Sequence, residues 1–157
     1  MEYIDKKRFP NGIITAVITP FSNGEIDYSS YKAVLANQIK AGIDGIVVLG
    51  TTGESPTVSK AERLKLIDFT LSATEGKIFV VAGCGAADTR SAASLVKETC
   101  ALGVHGILTV TPYYNKPSQR GIIHHYLTVA ESSSVPVMIF AAAATPSSIL
   151  VTALPSG

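Results

Sequence analysis

Short apolar runs rich in β-branched residues alternate along this chain with stretches whose apolar residues recur every three to four positions. Gly12 to Thr19 reads as a strand, stopped by Pro20 and the turn residues Asn23-Gly24. A helix is expected over 28–40, where Tyr31, Val34, Leu35, Gln38 and Ile39 share one face. Asp44 to Leu49 is almost uninterruptedly apolar, the signature of a strand buried on both faces. Ser59 with Glu62 three residues on forms a capping box ahead of Leu64, Ile67 and Leu71, and Gly76 ends that helix. Lys77 to Ala82 is a third strand, and Thr89 to Leu102 a third helix closed by Gly103. His105 to Val110, Ser118 to Glu131 and Val135 to Phe140 complete a count of four βα units and a fifth strand.

This alternation implies parallel strands joined by right-handed helical crossovers. Two architectures fit: an open doubly wound sheet, or part of a (β/α)8 barrel. Both build sites at the C-terminal ends of their strands, which is where the polar and Gly-rich segments fall. Length by itself favours the open sheet, because a barrel needs roughly 250 residues and this chain has 157.

The end of the chain breaks the pattern. Residues 132–157 carry no charge, and four alanines follow Phe140 before Thr145-Pro146-Ser147-Ser148. No amphipathic helix of ordinary length is legible there, and Pro146 and Pro155 would interrupt one. The expected organisation is a domain over 1–140 and an atypical Ala-rich tail over 141–157, as a truncation, a different reading frame or an engineered end would each produce.

Composition narrows the function classes. Lys plus Arg number 13 and Asp plus Glu 12, for a net charge of +1, so no basic field invites nucleic acid or an anionic membrane. With 46% hydrophobic residues the chain can build a core. No apolar run reaches the length of a membrane span. Met1 to Arg8 lacks the apolar stretch of a secretory signal, and Cys84 and Cys100 are too few for a disulfide scaffold. The expected setting is the cytoplasm, with a plastid form whose transit peptide has been removed as the alternative.

Three loops hold candidate chemistry. Gly50-Thr51-Thr52-Gly53-Glu54-Ser55 follows strand two, and its glycines, hydroxyls and successive N–H groups suit a carboxylate or phosphate; a turn with an N-cap is the plainer alternative. It is neither a phosphate-binding P-loop nor a dinucleotide fingerprint. Thr111-Pro112-Tyr113-Tyr114-Asn115-Lys116-Pro117 follows strand four, where a phenol near a cation can relay protons, or the rings can simply cover the sheet end or an oligomer contact. Gly83-Cys84-Gly85 follows strand three, but no base stands ready for Cys84, which reads as a small buried residue. His124 and His125 are adjacent on a helix and point apart, and His105 begins a strand, so no metal site is expected.

Ile14-Thr15-Ala16-Val17-Ile18-Thr19-Pro20-Phe21, the Gly50 to Ser55 loop and the Thr111 to Pro117 loop, in this order and spacing, resemble the dihydrodipicolinate synthase/N-acetylneuraminate lyase family of class I aldolases. The likeness runs from about Gly12 to Phe140, and the double Tyr with Asn-Lys-Pro favours the synthase branch. The resemblance implies α/β architecture with parallel βα repeats, about the first half of a (β/α)8 TIM barrel. It implies a lyase of lysine (diaminopimelate) biosynthesis that condenses pyruvate with aspartate semialdehyde through a lysine Schiff base, without a separate cofactor or metal.

Carried over by position, Thr51 matches the hydroxyl that relays protons and Thr52 the group that holds the pyruvate carboxylate. Tyr114 matches the Tyr that the family inserts into a neighbouring subunit, implying a homo-oligomer built through the Tyr113/Tyr114 loop. Ser55 and Tyr113 match positions near the family's lysine feedback site, whereas Ala87 stands where inhibited members often have Asn. Departures are equally specific. Where the family has a catalytic Tyr after strand five, with an Arg following, this chain has Phe140 and then Ala141 to Ala144. The strand that would bear the Schiff-base lysine has no counterpart among these residues. The chain alone is therefore expected to be inactive. Two other readings stand beside this one: a non-catalytic truncated paralogue binding a full-length subunit, and an aldolase relative acting on sialic acid or a keto-deoxy sugar acid.

Overall fold

The computed structural model describes residues 12–141 and 149–153. Five parallel strands run through it: β1 (Ile14–Ala16), β2 (Gly45–Val48), β3 (Phe79–Gly83), β4 (Gly106–Val110) and β5 (Val137–Ala141). Helices α1 (Tyr28–Lys40), α2 (Lys60–Thr74), α3 (Thr89–Ala101) and α4 (Gln119–Glu131) connect them. In the sheet the parallel strands lie in chain order, each beside the next. The length-based preference for an open doubly wound sheet is overturned here. Such a sheet reverses direction at a switch point. An unbroken order with right-handed crossovers instead keeps every helix on one face and curls the sheet. The architecture is the first half of a (β/α)8 barrel.

Strand alternation sorts the side chains into two layers. Ile46, Val48, Val80, Ala82 and Ile107 join the helix residues Leu35, Leu66, Ile67 and Val96 in the core. The intervening residues Ile14, Val47, Leu108, Met138 and Phe140 line the concave face. In a complete barrel that face would be the packed interior; here it is open.

Local chemistry sets the element ends. Ser59 and Glu62 make the reciprocal capping box expected of them, and Asp27, Asp88 and Ser118 cap the other helices by accepting main-chain N–H bonds. Asn23 (φ 53°) and Gly24 (φ 82°) both adopt left-handed backbone, which closes a small hairpin of Phe21–Ser22 on Glu25–Ile26. Within the predicted first strand, only Ile14–Ala16 pairs with the sheet. β5 starts at Val137, one residue after Pro136, which has no N–H to give the ladder.

One strand has no counterpart in the sequence-based expectation. β6 (Ile149–Ala153) pairs antiparallel with β5 along its whole length, from Val137↔Ala153 to Ala141↔Ile149. The seven residues between Ala141 and Ile149 cannot form a parallel crossover, which takes about a dozen or more. The short separation in sequence agrees with the antiparallel pairing of β6 on β5. A half-barrel would leave the edge of its fifth strand bare; here β6 covers it, while among the described residues β1 is an edge strand. The readings of Met1 to Arg8, of Ala142 to Ser148 and of Pro155 lie outside the described residues.

Tyr31 shows how the helix layer is locked. It is fully buried on α1, with its hydroxyl 3.0 Å from Thr70 Oγ1 on α2. Thr70 has one hydroxyl proton and donates it to the Leu66 carbonyl at 2.6 Å, so the Tyr31 phenol is the donor. Burial pushes the Tyr31 pKa up to about 12, against an opposing pull from the Thr70 bond. Tyr31→Phe should cost about 1 kcal/mol at neutral pH, measured by urea denaturation. The same variant should resist alkali better relative to its own neutral-pH stability. The unfolded chain ionises near 10, so the Tyr31 contribution is whole below that pH and is lost as pH rises towards about 12. An unchanged alkaline profile would contradict this.

Candidate functional site

β2 ends because Leu49, buried, turns into left-handed backbone at φ 58°. That turn throws Gly50 to Ser55 across the C-terminal end of the sheet, where Glu54 (φ 51°) again turns left-handed before the short 3-10 helix Ser55–Thr57. Two non-glycine residues in this region so close together mark a loop held against local preference. Several bonds hold it. Thr19 Oγ1 donates to the Gly53 carbonyl at 2.7 Å, Gly53 N–H to Gly50 O at 3.1 Å, and Glu54 N–H to Thr51 O at 3.1 Å. Leu49 also presses backbone to backbone on β3: a Cβ at Gly83 would lie 2.1 Å from the Leu49 carbonyl oxygen. Glycine is required at that position for the approach itself.

Arg63 completes the support. It sits on the buried stripe of α2 at 7% exposure, and its guanidinium donates to Ser55 Oγ at 2.6 Å and to the Gly83 carbonyl. One side chain thereby ties the loop after β2 to the end of β3. Burial lowers the Arg63 pKa, opposed by neighbouring Cys84 and Tyr113, but a guanidinium stays charged in proteins. Sequence reasoning missed this residue. Its signal was there in the spacing, because 63, 66, 67, 70 and 74 form the buried face of α2.

The second loop is pinned at both ends. Thr111 Oγ1 and the Tyr126 hydroxyl lie 2.8 Å apart, and Asn115 Nδ2 donates to the Ala87 carbonyl at 2.7 Å. On either side of Asn115, Tyr114 (φ 73°) and Lys116 (φ 45°) take left-handed backbone. The Tyr114 ring stands 96% exposed, whereas Tyr113 lies at the cleft.

Thr51, Thr52, Ser55 and Tyr113 come together at the mouth of one cleft of about 510 Å³, whose walls are the apolar concave face of the strands. Tyr114 is not among its lining residues. The arrangement suits a small ligand with a polar, anionic end at the hydroxyls and the Gly-rich turn, and an apolar end against Leu108, Met138 and Phe140. Phe140 stands in the wall without a hydroxyl to offer. No lysine lines the cleft among the described residues.

The remaining candidates lie elsewhere. Cys84 is fully buried, burial pushes its thiol up to about 11, and it donates to Thr99 Oγ1, so it is a core residue and not a nucleophile. His125 is buried with Nδ1 3.0 Å from Thr89 Oγ1, and burial lowers its pKa; His124, its neighbour, is exposed. His105 accepts the Val80 N–H through Nδ1. Among the described residues no three of His, Cys, Asp and Glu converge, and no helix is long and apolar enough to cross a membrane.

Comparison with known proteins gives this geometry a family. The sequence model of the "Dihydrodipicolinate synthetase family" matches residues 9–153. The 4-hydroxy-tetrahydrodipicolinate synthase of Leptospira biflexa is 52% identical over 129 residues, which is 82% of this chain and 44% of that protein. A crystal structure of chloride-inhibited dihydrodipicolinate synthase from Acinetobacter baumannii, complexed with pyruvate, superposes with a TM-score of 0.81 at 37% identity, over 83% of this chain and 45% of that one. The enzyme of Cyanidioschyzon merolae with lysine bound gives 0.80 at 39% identity, over 85% and 46%. The chain spans about 44% of the length of the curated relatives it matches.

Arg63→Met keeps the apolar stem but removes the donors that join Ser55 to Gly83. It should cost about 1–3 kcal/mol through the unsatisfied groups left behind. Amide exchange at Gly50 to Ser55 should also rise, read by hydrogen-exchange NMR. Unaltered exchange in that loop would show that Arg63 does not hold it.

Proposed function

The chain belongs to the dihydrodipicolinate synthetase family, and on that premise we propose that it carries the carboxylate-binding end of the family's pyruvate site without the nucleophile. The family reaction is condensation of pyruvate with aspartate semialdehyde in lysine (diaminopimelate) biosynthesis. A lysine amine forms an imine with the keto carbon, and the protonated imine draws off electrons so that the enamine can attack the aldehyde. In this chain Thr52 with the Gly50–Glu54 turn receives the carboxylate of pyruvate, Thr51 passes protons, and the apolar wall at Leu108 and Met138 accepts the methyl end. The single observation that carries this reading is the convergence of Thr51 and Thr52 on an apolar cleft of about 510 Å³, at the C-terminal end of a half-barrel.

Turnover is a different matter. Phe140 offers no phenol where the family has a catalytic Tyr, and among the described residues the cleft walls hold no lysine. The chain by itself is accordingly a binder and not a catalyst. Its Ser55 and Tyr113 are poorly suited to a lysine feedback site. The Arg63 guanidinium already engages Ser55 Oγ and disfavours a second cation, and Ala87 has no amide to contribute. A cytoplasmic setting belongs to the same reading.

A second reading rests on Tyr114. A ring 96% exposed on left-handed backbone is held out from the surface at a conformational cost, as a residue built to enter another subunit would be. On that reading the chain is a non-catalytic partner of itself or of a full-length subunit, associating through the Tyr113/Tyr114 loop.

Borohydride reduction in the presence of labelled pyruvate, followed by intact mass, tests the missing nucleophile. The expected result is no adduct at any pH where a lysine imine forms. A stoichiometric adduct would overturn the proposal, and peptide mapping would then identify the lysine, with exposed Lys116 the first to check.

A further inference from the structure

The sheet is parallel from β1 to β5 and antiparallel only at β6. In a complete (β/α)8 barrel the free edge of β5 takes the next parallel strand after a helical crossover. Here the edge is taken instead by residues that follow β5 at once in the chain. All five residues of β5 find a register partner in β6.

That edge is the one most in need of cover. β5 is Val-Met-Ile-Phe-Ala, apolar and β-prone, within a stretch from 132 onward that has no charged residue to discourage pairing. The opposite edge, β1, pairs over three residues only. β6 itself is a poorer template for a new strand, because its five residues are bracketed in the sequence by Pro146 and Pro155. Among the described residues β6 pairs with β5 alone, and a strand held by one neighbour belongs to the less stable parts of a fold.

We infer that β6 is an intramolecular strap: it occupies the edge of β5 on which a second copy of this chain would otherwise pair, and so blocks edge-to-edge self-assembly. This inference is independent of any catalytic or binding role at the cleft. It makes the tail an assembly control that works by backbone competition, since a β5 edge satisfied within the chain has no N–H and C=O groups left to offer a second copy.

Two variants test it. The first is the chain ended after Ala141. The second is full-length Val151→Pro/Thr152→Pro; neighbouring N–H groups on a strand point to opposite sides, so one of the two prolines removes a donor facing β5 whichever it is. Sedimentation velocity over a concentration series and hydrogen exchange of the β5 amides are the readouts. In the full chain the β5 amides should be protected on both sides of the strand. In both variants, dilute, alternate β5 amides should exchange about tenfold faster or more, and a concentration-dependent species absent from the full chain should form. The inference is overturned if the full chain's β5 amides already exchange as fast as the variants', or if both variants keep the association state of the full chain. Loss of the fold in both variants, seen by circular dichroism, would also overturn it, because a displaceable strap cannot be essential to the half-barrel.

Discussion

The mouth of this half-barrel depends on a contact between two backbones. Leu49 can leave β2 in left-handed conformation only because its carbonyl lies against Gly83, where any side chain would collide. The Gly50–Ser55 loop then lies across the strand ends instead of continuing the sheet, and Thr19 and Arg63 hold it there. If Gly83 carried a Cβ, β2 and β3 could not keep this approach. Thr51 and Thr52 would lose their common position above the cleft. The polar end of the site is therefore a consequence of close packing, and its precision comes from groups that take no part in any chemistry.

Arg63 illustrates the same logic in electrostatic form. A buried guanidinium with no carboxylate partner among the described residues is costly, and its presence is explained by what it joins: the hydroxyl of Ser55 on one loop and a carbonyl at the end of the neighbouring strand. It lends the cleft a nearby positive charge without exposing it. Such a field suits an anionic end on the ligand and opposes an ammonium group. The same residue thus supports the pyruvate-type reading and weakens the case for lysine at Ser55 and Tyr113.

Much of this was legible in the amino-acid order. Alternating apolar runs and helix-period stretches located the five parallel strands and the four α-helices, because local propensity and tertiary burial agree at those positions; they did not locate the 3-10 turn Ser55–Thr57. Thr51, Thr52, Ser55 and Tyr113 were singled out through the family resemblance, in loops that follow strand ends, and all four line one cleft. Barrel curvature was not visible in composition or length. It follows from strand order, which no local pattern encodes. Arg63 escaped notice because a single charge on an apolar stripe is read as noise until its partners come from elsewhere in the chain. β6 escaped because Ile149 to Ala153 is too short and too isolated to announce a strand, and only the free edge of β5 gives it one to join.

The central claim is that the loop after β2 binds a small keto acid through its carboxylate, with no covalent step. Titration of the ¹⁵N-labelled chain with pyruvate in the absence of reductant, followed by NMR, tests it most directly. The account predicts saturable shifts centred on the Gly50–Ser55 amides that vanish when pyruvate is dialysed away. Shifts centred on Lys116 and persisting after dialysis, or no response at Gly50–Ser55 at saturating pyruvate, would contradict it.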